Sequence, residues 1–159
     1  VDSRAYPDLQ EMMDDCRAAG LDPVICSSYR TQAKQQELYE NKIQRLTEEG
    51  YSYENAVTEA GTVVAVPGTS EHQTGLALDI VDASYQVLDR GQEDTRVQQW
   101  LIEHSWEYGF VLRYPNAKSE ITGIIYEPWH YRYVGREAAR EMTELGLCLE
   151  EYVDWLSAR

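Results

Sequence analysis

Apolar positions along the chain switch between helical and strand periodicity, and the switches outline its elements. Across 8–19, DLQEMMDDCRAA, the residues Leu9, Met12, Met13 and Cys16 share a helix face, and Gly20 is a plausible stop. Asp22-Pro23 makes a turn, and Val24–Arg30 reads as a strand ending in polar residues. Thr31 is a good N-cap for a long polar helix over 32–49, stopped at Gly50, with Leu38, Tyr39, Ile43 and Leu46 as one stripe. A shorter helix is expected over 53–60, followed by a loop, 61–70, that carries Pro67 and Gly68. Residues 76–81 are the best strand candidate, apolar apart from Asp79. A polar connection then leads to an amphipathic helix over 95–108, with Val97, Trp100, Leu101 and His104 on one side and Gly109 as its stop. A short strand over 110–114 is closed by Pro115, and 116–122 is a polar loop. An alternating strand covers 129–134, and helices cover 135–145 and 149–156. Strands and helices mix without regular alternation, so the expected fold is α+β, with a small central antiparallel sheet flanked by helices.

Composition narrows the function classes. With 159 residues and no repeats or low-complexity segments, 1–159 is expected to be one domain with a real core. The formal charge of -14 argues against a nucleic-acid partner, which would need clustered Lys and Arg. It also argues against charge-driven docking on an anionic membrane, and no apolar run reaches membrane-helix length. The plain reading of the acidity is solubility. Cys16, Cys26 and Cys148 lack metal-type spacing, which leaves one disulfide plus a free thiol, or three buried thiols, both open. A start at Val1 and not Met points to a trimmed or processed chain, with no signal segment visible. A monomer is the default expectation.

The candidate chemistry lies in two distant segments. An acidic residue inside an apolar strand is expensive unless paired or coordinated, which favours a ligand role for Asp79. Together His72, Asp79 and His130 would make a three-ligand zinc set with one position open. The competing reading makes His72 an exposed or capping residue of a Ser- and Gly-rich loop. Glu127, three residues before His130 and beside Pro128 and Trp129, has an apolar setting that would raise its pKa toward that of a general base. Pro128 keeps Glu127 and His130 off a common helix face, so this is not an HExxH arrangement. Arg30 stands where strand gives way to helix and could hold a substrate carboxylate or an oxyanion; a surface ion pair is the equal alternative. From position alone Gln35 reads as a solvated helix residue and His104 as a structural histidine. Trp100, Trp106, Phe110 and Trp155 read as core, and Trp129 with Tyr126, Tyr131 and Tyr133 as partial cleft wall.

Three motifs in order then resemble one family. Ser27-Ser28-Tyr29-Arg30-Thr31 followed by Gln35, Ser70-Glu71-His72 through Asp79, and Glu127-Pro128-Trp129-His130-Tyr131-Arg132-Tyr133-Val134-Gly135 are similar to the signatures of VanY-type D-alanyl-D-alanine carboxypeptidases. The resemblance spans about residues 8–145 and implies the fold shared with D-Ala-D-Ala peptidases and hedgehog domains. It implies zinc on His72, Asp79 and His130, Glu127 as base, and Arg30 at the oxyanion or scissile carbonyl. It implies substrate contacts from Ser70 and Gln35, with Ser28 and Trp129 also candidates. The implied reaction removes the terminal D-alanine of peptidoglycan stem peptides, outside the membrane, with any anchor beyond this stretch. L,D-carboxypeptidases share the three motifs. D-Ala-D-Ala dipeptidases usually carry Trp at the place of Pro128, and hedgehog-like modules are the non-enzyme alternative.

Overall fold

In the computed structural model, which describes residues 1–159, the apolar strand around Asp79 lies inside a four-stranded sheet. Strands β1 (Pro23–Ser27), β2 (Ala77–Asp82), β3 (Phe110–Leu112) and β4 (His130–Tyr133) are ordered β1-β2-β4-β3, all antiparallel. The helices are α1 (Tyr6–Ala18), α2 (Gln32–Glu48), α3 (Tyr53–Val63), α4 (Arg96–His104), α5 (Ser119–Thr122), α6 (Arg136–Leu145) and α7 (Leu149–Ser157). Thr31 caps α2 by accepting the Lys34 N–H, and Ser52 and Thr95 cap α3 and α4 in the same way.

Side chains alternate across a strand, and this parity divides the molecule. Leu78, Ile80 and Tyr131 point into the main core, against Leu9, Met12 and Met13 of α1 and Val97 and Leu101 of α4. Asp79 and His130 therefore point to the opposite face, where they are direct cross-strand partners. A slip of one residue would send both into the core, so the apolar pattern that fixes the sheet also fixes the site. Buried Gln98 locks the register: its amide donates to the Ile80 carbonyl and its oxygen accepts the Tyr131 hydroxyl at 2.8 Å. Satisfying both ends removes the penalty of a buried amide.

Two smaller cores flank the sheet. Val111 of β3 packs with Ala139 and Met142 of α6 and Tyr152 of α7, next to partly buried Trp106 and Trp155. Leu46 of α2 packs on Ala56 and Ala60 of α3, so this hairpin buries its stripe within itself. Gly75, at φ 74°, turns the chain out of the 3-10 turn Glu71–Thr74 and into β2; a side chain there would also crowd the backbone of Asp2.

Several boundaries differ from the sequence reading. The first strand stops at Ser27, after a register shift between Ile25 and Ser27 that frees the chain to swing toward Arg30. Helix α3 runs on to Val63, into the expected loop. The expected helix over 95–108 changes to a 3-10 turn at Ser105, where the Trp106 indole N–H bonds the Glu103 carbonyl, and Gly109 ends it as expected at φ 82°. A single helical turn, α5, stands in the expected polar loop. All three thiols are free, and Cys26 is an exposed position, so the reading with three buried thiols fails for it.

Candidate active site

His72 sits on the 3-10 turn before β2, Asp79 in mid-β2 and His130 at the start of β4, all buried. One donor atom from each lies within 4.8 Å of the others. Asp79 Oδ1 is 3.2 Å from His72 Nε2 and 3.0 Å from His130 Nδ1. The outer nitrogens fix which atoms face inward. His72 Nδ1 donates to the Ser28 carbonyl at 2.7 Å, leaving Nε2 for the centre. His130 Nε2 faces Glu71 Oε2 at 3.4 Å, leaving Nδ1 for the centre. Imidazoles oriented in this way, with a carboxylate between them, are the donor set that a borderline-soft divalent ion takes. Burial alone would raise the Asp79 carboxyl; hydrogen bonds from His130 and His72 outweigh it and hold the group well below the usual range. Burial would lower His130, but Asp79 and Glu71 push it up to about 9.

Glu127 stands beside this set without joining it. Its Oε2 is 3.9 Å from His130 Nδ1, and the residue is 7% exposed. Burial pushes the carboxyl up to about 7, and the pull of His130 only partly offsets this. A carboxyl poised near neutrality can both take and return a proton. Arg30 donates from Nη2 to Asp79 Oδ2 at 2.8 Å, from Nε to Ser27 at 3.0 Å and from Nη1 to Gln35 at 3.4 Å. It is therefore held at the centre and makes no surface ion pair.

Glu71, which no apolar pattern or motif spacing singles out, organises the other side. It accepts Arg113 Nε at 2.7 Å and Arg132 Nη1 at 2.8 Å while facing His130. Burial would raise its carboxyl, yet His130 and the two arginines hold it at about 2. Arg113 continues to Glu150 of α7 through two bonds, at 2.8 and 2.6 Å. An acid directly before an expected ligand, with two arginines of suitable parity on neighbouring strands, was the available signal.

The centre opens into a cleft of about 620 Å³ walled by the C-terminal part of α3, one face of α2, the loops at 88–90 and 124–127, and Trp129. Ser70 and Trp129 line it, as does Tyr126. Ser28 reaches the site through its carbonyl and does not line the cleft. Gln35 is fully buried, holding the Ala65 carbonyl at 2.7 Å, which corrects its reading as solvated. Tyr131 and Tyr133 turn away from the cleft, to Gln98 and to Asp8, because strand parity opposes them to His130. Trp100, Trp106 and Trp155 are only partly buried, and Phe110 is fully so. His104 is a surface residue bonded to Glu107 at 2.8 Å and packed on Trp100, apart from the other histidines.

Two oriented imidazoles and a carboxylate converging on a cleft, with a near-neutral carboxyl alongside, define a mononuclear metallohydrolase class of site. Comparison with known proteins narrows the class. Residues 1–136 match the family model described as VanY, D-alanyl-D-alanine carboxypeptidase, and the chain belongs to that family. It is 50% identical over 155 residues to a D-alanyl-D-alanine carboxypeptidase of Enterococcus faecalis (strain ATCC 700802 / V583), a match covering 97% of this chain and 56% of that protein. The chain thus spans little more than half of that relative. Among solved structures, VanYB in complex with D-alanine-D-alanine superposes with TM-score 0.89 at 48% identity, covering 97% of this chain and 82% of that one. A VanY variant from a VanB-type resistance cassette, in complex with Zn(II), superposes at 0.87 and 48% identity, covering 96% and 83%.

Proposed function

We propose that this chain is a zinc-dependent D,D-carboxypeptidase that removes the C-terminal D-alanine from peptidoglycan stem peptides, outside the cytoplasmic membrane. The observation that carries the reading is Glu127, buried, raised to about 7 and 3.9 Å from a nitrogen of the His72, Asp79 and His130 set. Those three residues would hold zinc, which when bound supplies Lewis acidity and brings the pKa of water down to about 7. Glu127 takes the proton of the attacking water and returns it to the leaving amine of D-alanine. The Arg30 guanidinium, fixed by Ser27 and Asp79, offers positive charge where the carbonyl oxygen becomes anionic. Ser70 and Trp129 shape the wall against the terminal residue, and Gln35 braces Arg30 from behind. Every group comes from one chain, so a monomer suffices. No helix is long and apolar enough to cross a membrane.

The test is D-alanine release by purified, zinc-loaded protein. A stem pentapeptide is expected to lose one D-alanine, with much slower attack on the tetrapeptide and on free D-Ala-D-Ala. No release from the pentapeptide would overturn the reading, and preference for the tetrapeptide would reassign it to L,D-chemistry.

A further inference from the structure

The cleft extends beyond the metal-binding set. The contact of Arg30 with Gln35 fixes that end at the first turn of α2. Leu38, Lys42 and Arg45 line the cleft further along the same helix, at spacings that share one face. At 1.5 Å per residue, Lys42 lies about 10 Å and Arg45 about 15 Å beyond Gln35. Arg90 lines the cleft from the loop after β2, its guanidinium 5.4 Å from the centre of the Tyr126 ring. That loop is built, because buried Gln92 donates to the Tyr85 and Val87 carbonyls at 2.6 and 2.8 Å.

Charge pairing sets these cations apart. The chain carries 28 Asp and Glu against 14 Lys and Arg, so carboxylates are abundant. Cations elsewhere use them, as in Arg113 with Glu150, Lys118 with Glu151, Arg136 with Asp8 and Lys34 with Glu37. Lys42, Arg45 and Arg90 form no ion pair, a condition shared only with Arg96 and Arg159, which lie off the cleft. Asp89, the acid next to Arg90, is engaged by its own loop, accepting the Tyr85 hydroxyl and the Gly91 N–H at 2.8 Å each.

We propose that Lys42, Arg45 and Arg90 form an anion subsite that receives a substrate carboxylate about three residues before the scissile bond. Lys42 lies about 10 Å along α2 from Gln35, the residue that bonds Arg30 at the metal-binding end, and an extended peptide, at about 3.3 Å per residue, covers that span in about three residues. The proposal rests on the stem-peptide reading above. In such a peptide a glutamate joined through its side-chain carboxyl leaves its main-chain carboxylate free at that place, and amidation removes the charge.

The test compares two stem pentapeptides, identical except that this carboxyl is free or amidated, titrated into zinc-loaded Glu127→Gln protein so that binding is read without turnover. The free carboxylate is expected to bind roughly tenfold more tightly at low salt, the combined effect of three partly exposed ion pairs, with the advantage shrinking at high salt. In a variant also carrying Lys42→Met, Arg45→Gln and Arg90→Gln the ratio is expected to fall to about one. Equal affinity for the two peptides, or a preference that survives salt or the triple substitution, overturns the subsite. Wild-type D-alanine release from the same peptides separates the claims. Absence of release from both tells against the carboxypeptidase reading, while the affinity ratio still decides the subsite.

Discussion

Replacing Glu71 by Gln removes one negative charge from a place where three donors meet. The carboxylate accepts Arg113 at 2.7 Å and Arg132 at 2.8 Å, and stands 3.4 Å from His130 Nε2. Both arginines bond Oε1 and His130 faces Oε2, so an amide that keeps its oxygen on the arginines turns its NH2 toward His130 Nε2. Both arginines then keep an acceptor that is neutral where it was charged, and Arg113 also keeps both bonds to Glu150. The stability cost is about 2 kcal/mol, less than for a stranded buried charge because Arg113 remains paired. The effect on metal is separate. Outer partners of a ligating imidazole contribute 10- to 100-fold in affinity, and the long His130 contact places Glu71→Gln near the lower end, at about tenfold or 1.4 kcal/mol. Zinc affinity by competition with a chromophoric chelator, and urea unfolding of the metal-free protein, read the two effects. Glu150→Gln is the control, because it breaks the same arginine network on the side remote from His130. It should cost stability and leave zinc affinity nearly unchanged. If Glu71→Gln binds zinc as tightly as the wild type, or Glu150→Gln weakens it equally, Glu71 does not orient His130.

Other perturbations read different parts of the fold. Glu127→Gln should retain zinc and lose about 10²- to 10⁴-fold in kcat for D-alanine release; turnover near wild type would remove Glu127 as the base. Tyr131→Phe strands the buried Gln98 oxygen and should cost about 1–2 kcal/mol in urea unfolding, whereas an unchanged midpoint would mean that Gln98 finds another partner. Burial would raise the Asp8 carboxyl, but the Tyr133 hydroxyl and Arg136 outweigh it and hold it below its ordinary value. A depressed folded-state pKa stabilises above the unfolded value, near 4, and that contribution is lost as pH falls through the folded value. Asp8→Asn should therefore destabilise by about 1 kcal/mol at neutral pH, with the gap closing below about pH 4; a pH-independent gap would contradict the assignment.

Much of the architecture was legible because local signals agreed. Thr31 caps α2 where a capping residue precedes a helical pattern, and Gly109 ends its segment in the left-handed conformation. Sheet order was not legible, since β2 lies between β1 and β4 through contacts far apart in sequence. Nor was the burial of Gln35, whose amide is needed by the Ala65 carbonyl thirty residues away. A polar residue on a polar helix carries no mark of such a partner. Glu71 illustrates the same limit, because its meaning depends on Arg113 and Arg132, which reach it from β4 and the end of β3.

Tyr131 and Tyr133 show where sequence proximity misleads and periodicity does not. Both follow His130 closely, which drew them into the cleft on a linear reading. The alternation that made 129–134 a strand already assigned them to the other face, where Tyr131 meets Gln98 and Tyr133 meets Asp8. The same strand pairing explains why the Glu127 carboxyl is buried. The Trp129 carbonyl accepts the Ile80 N–H at 2.9 Å, which ties the Glu127-Pro128-Trp129 segment to the strand that carries Asp79. Glu127 is therefore buried by the same backbone pairing that sets Asp79 opposite His130. Its raised pKa and the convergence of the three donor residues are two consequences of one register, so a change that loosens β2 against β4 should impair both together.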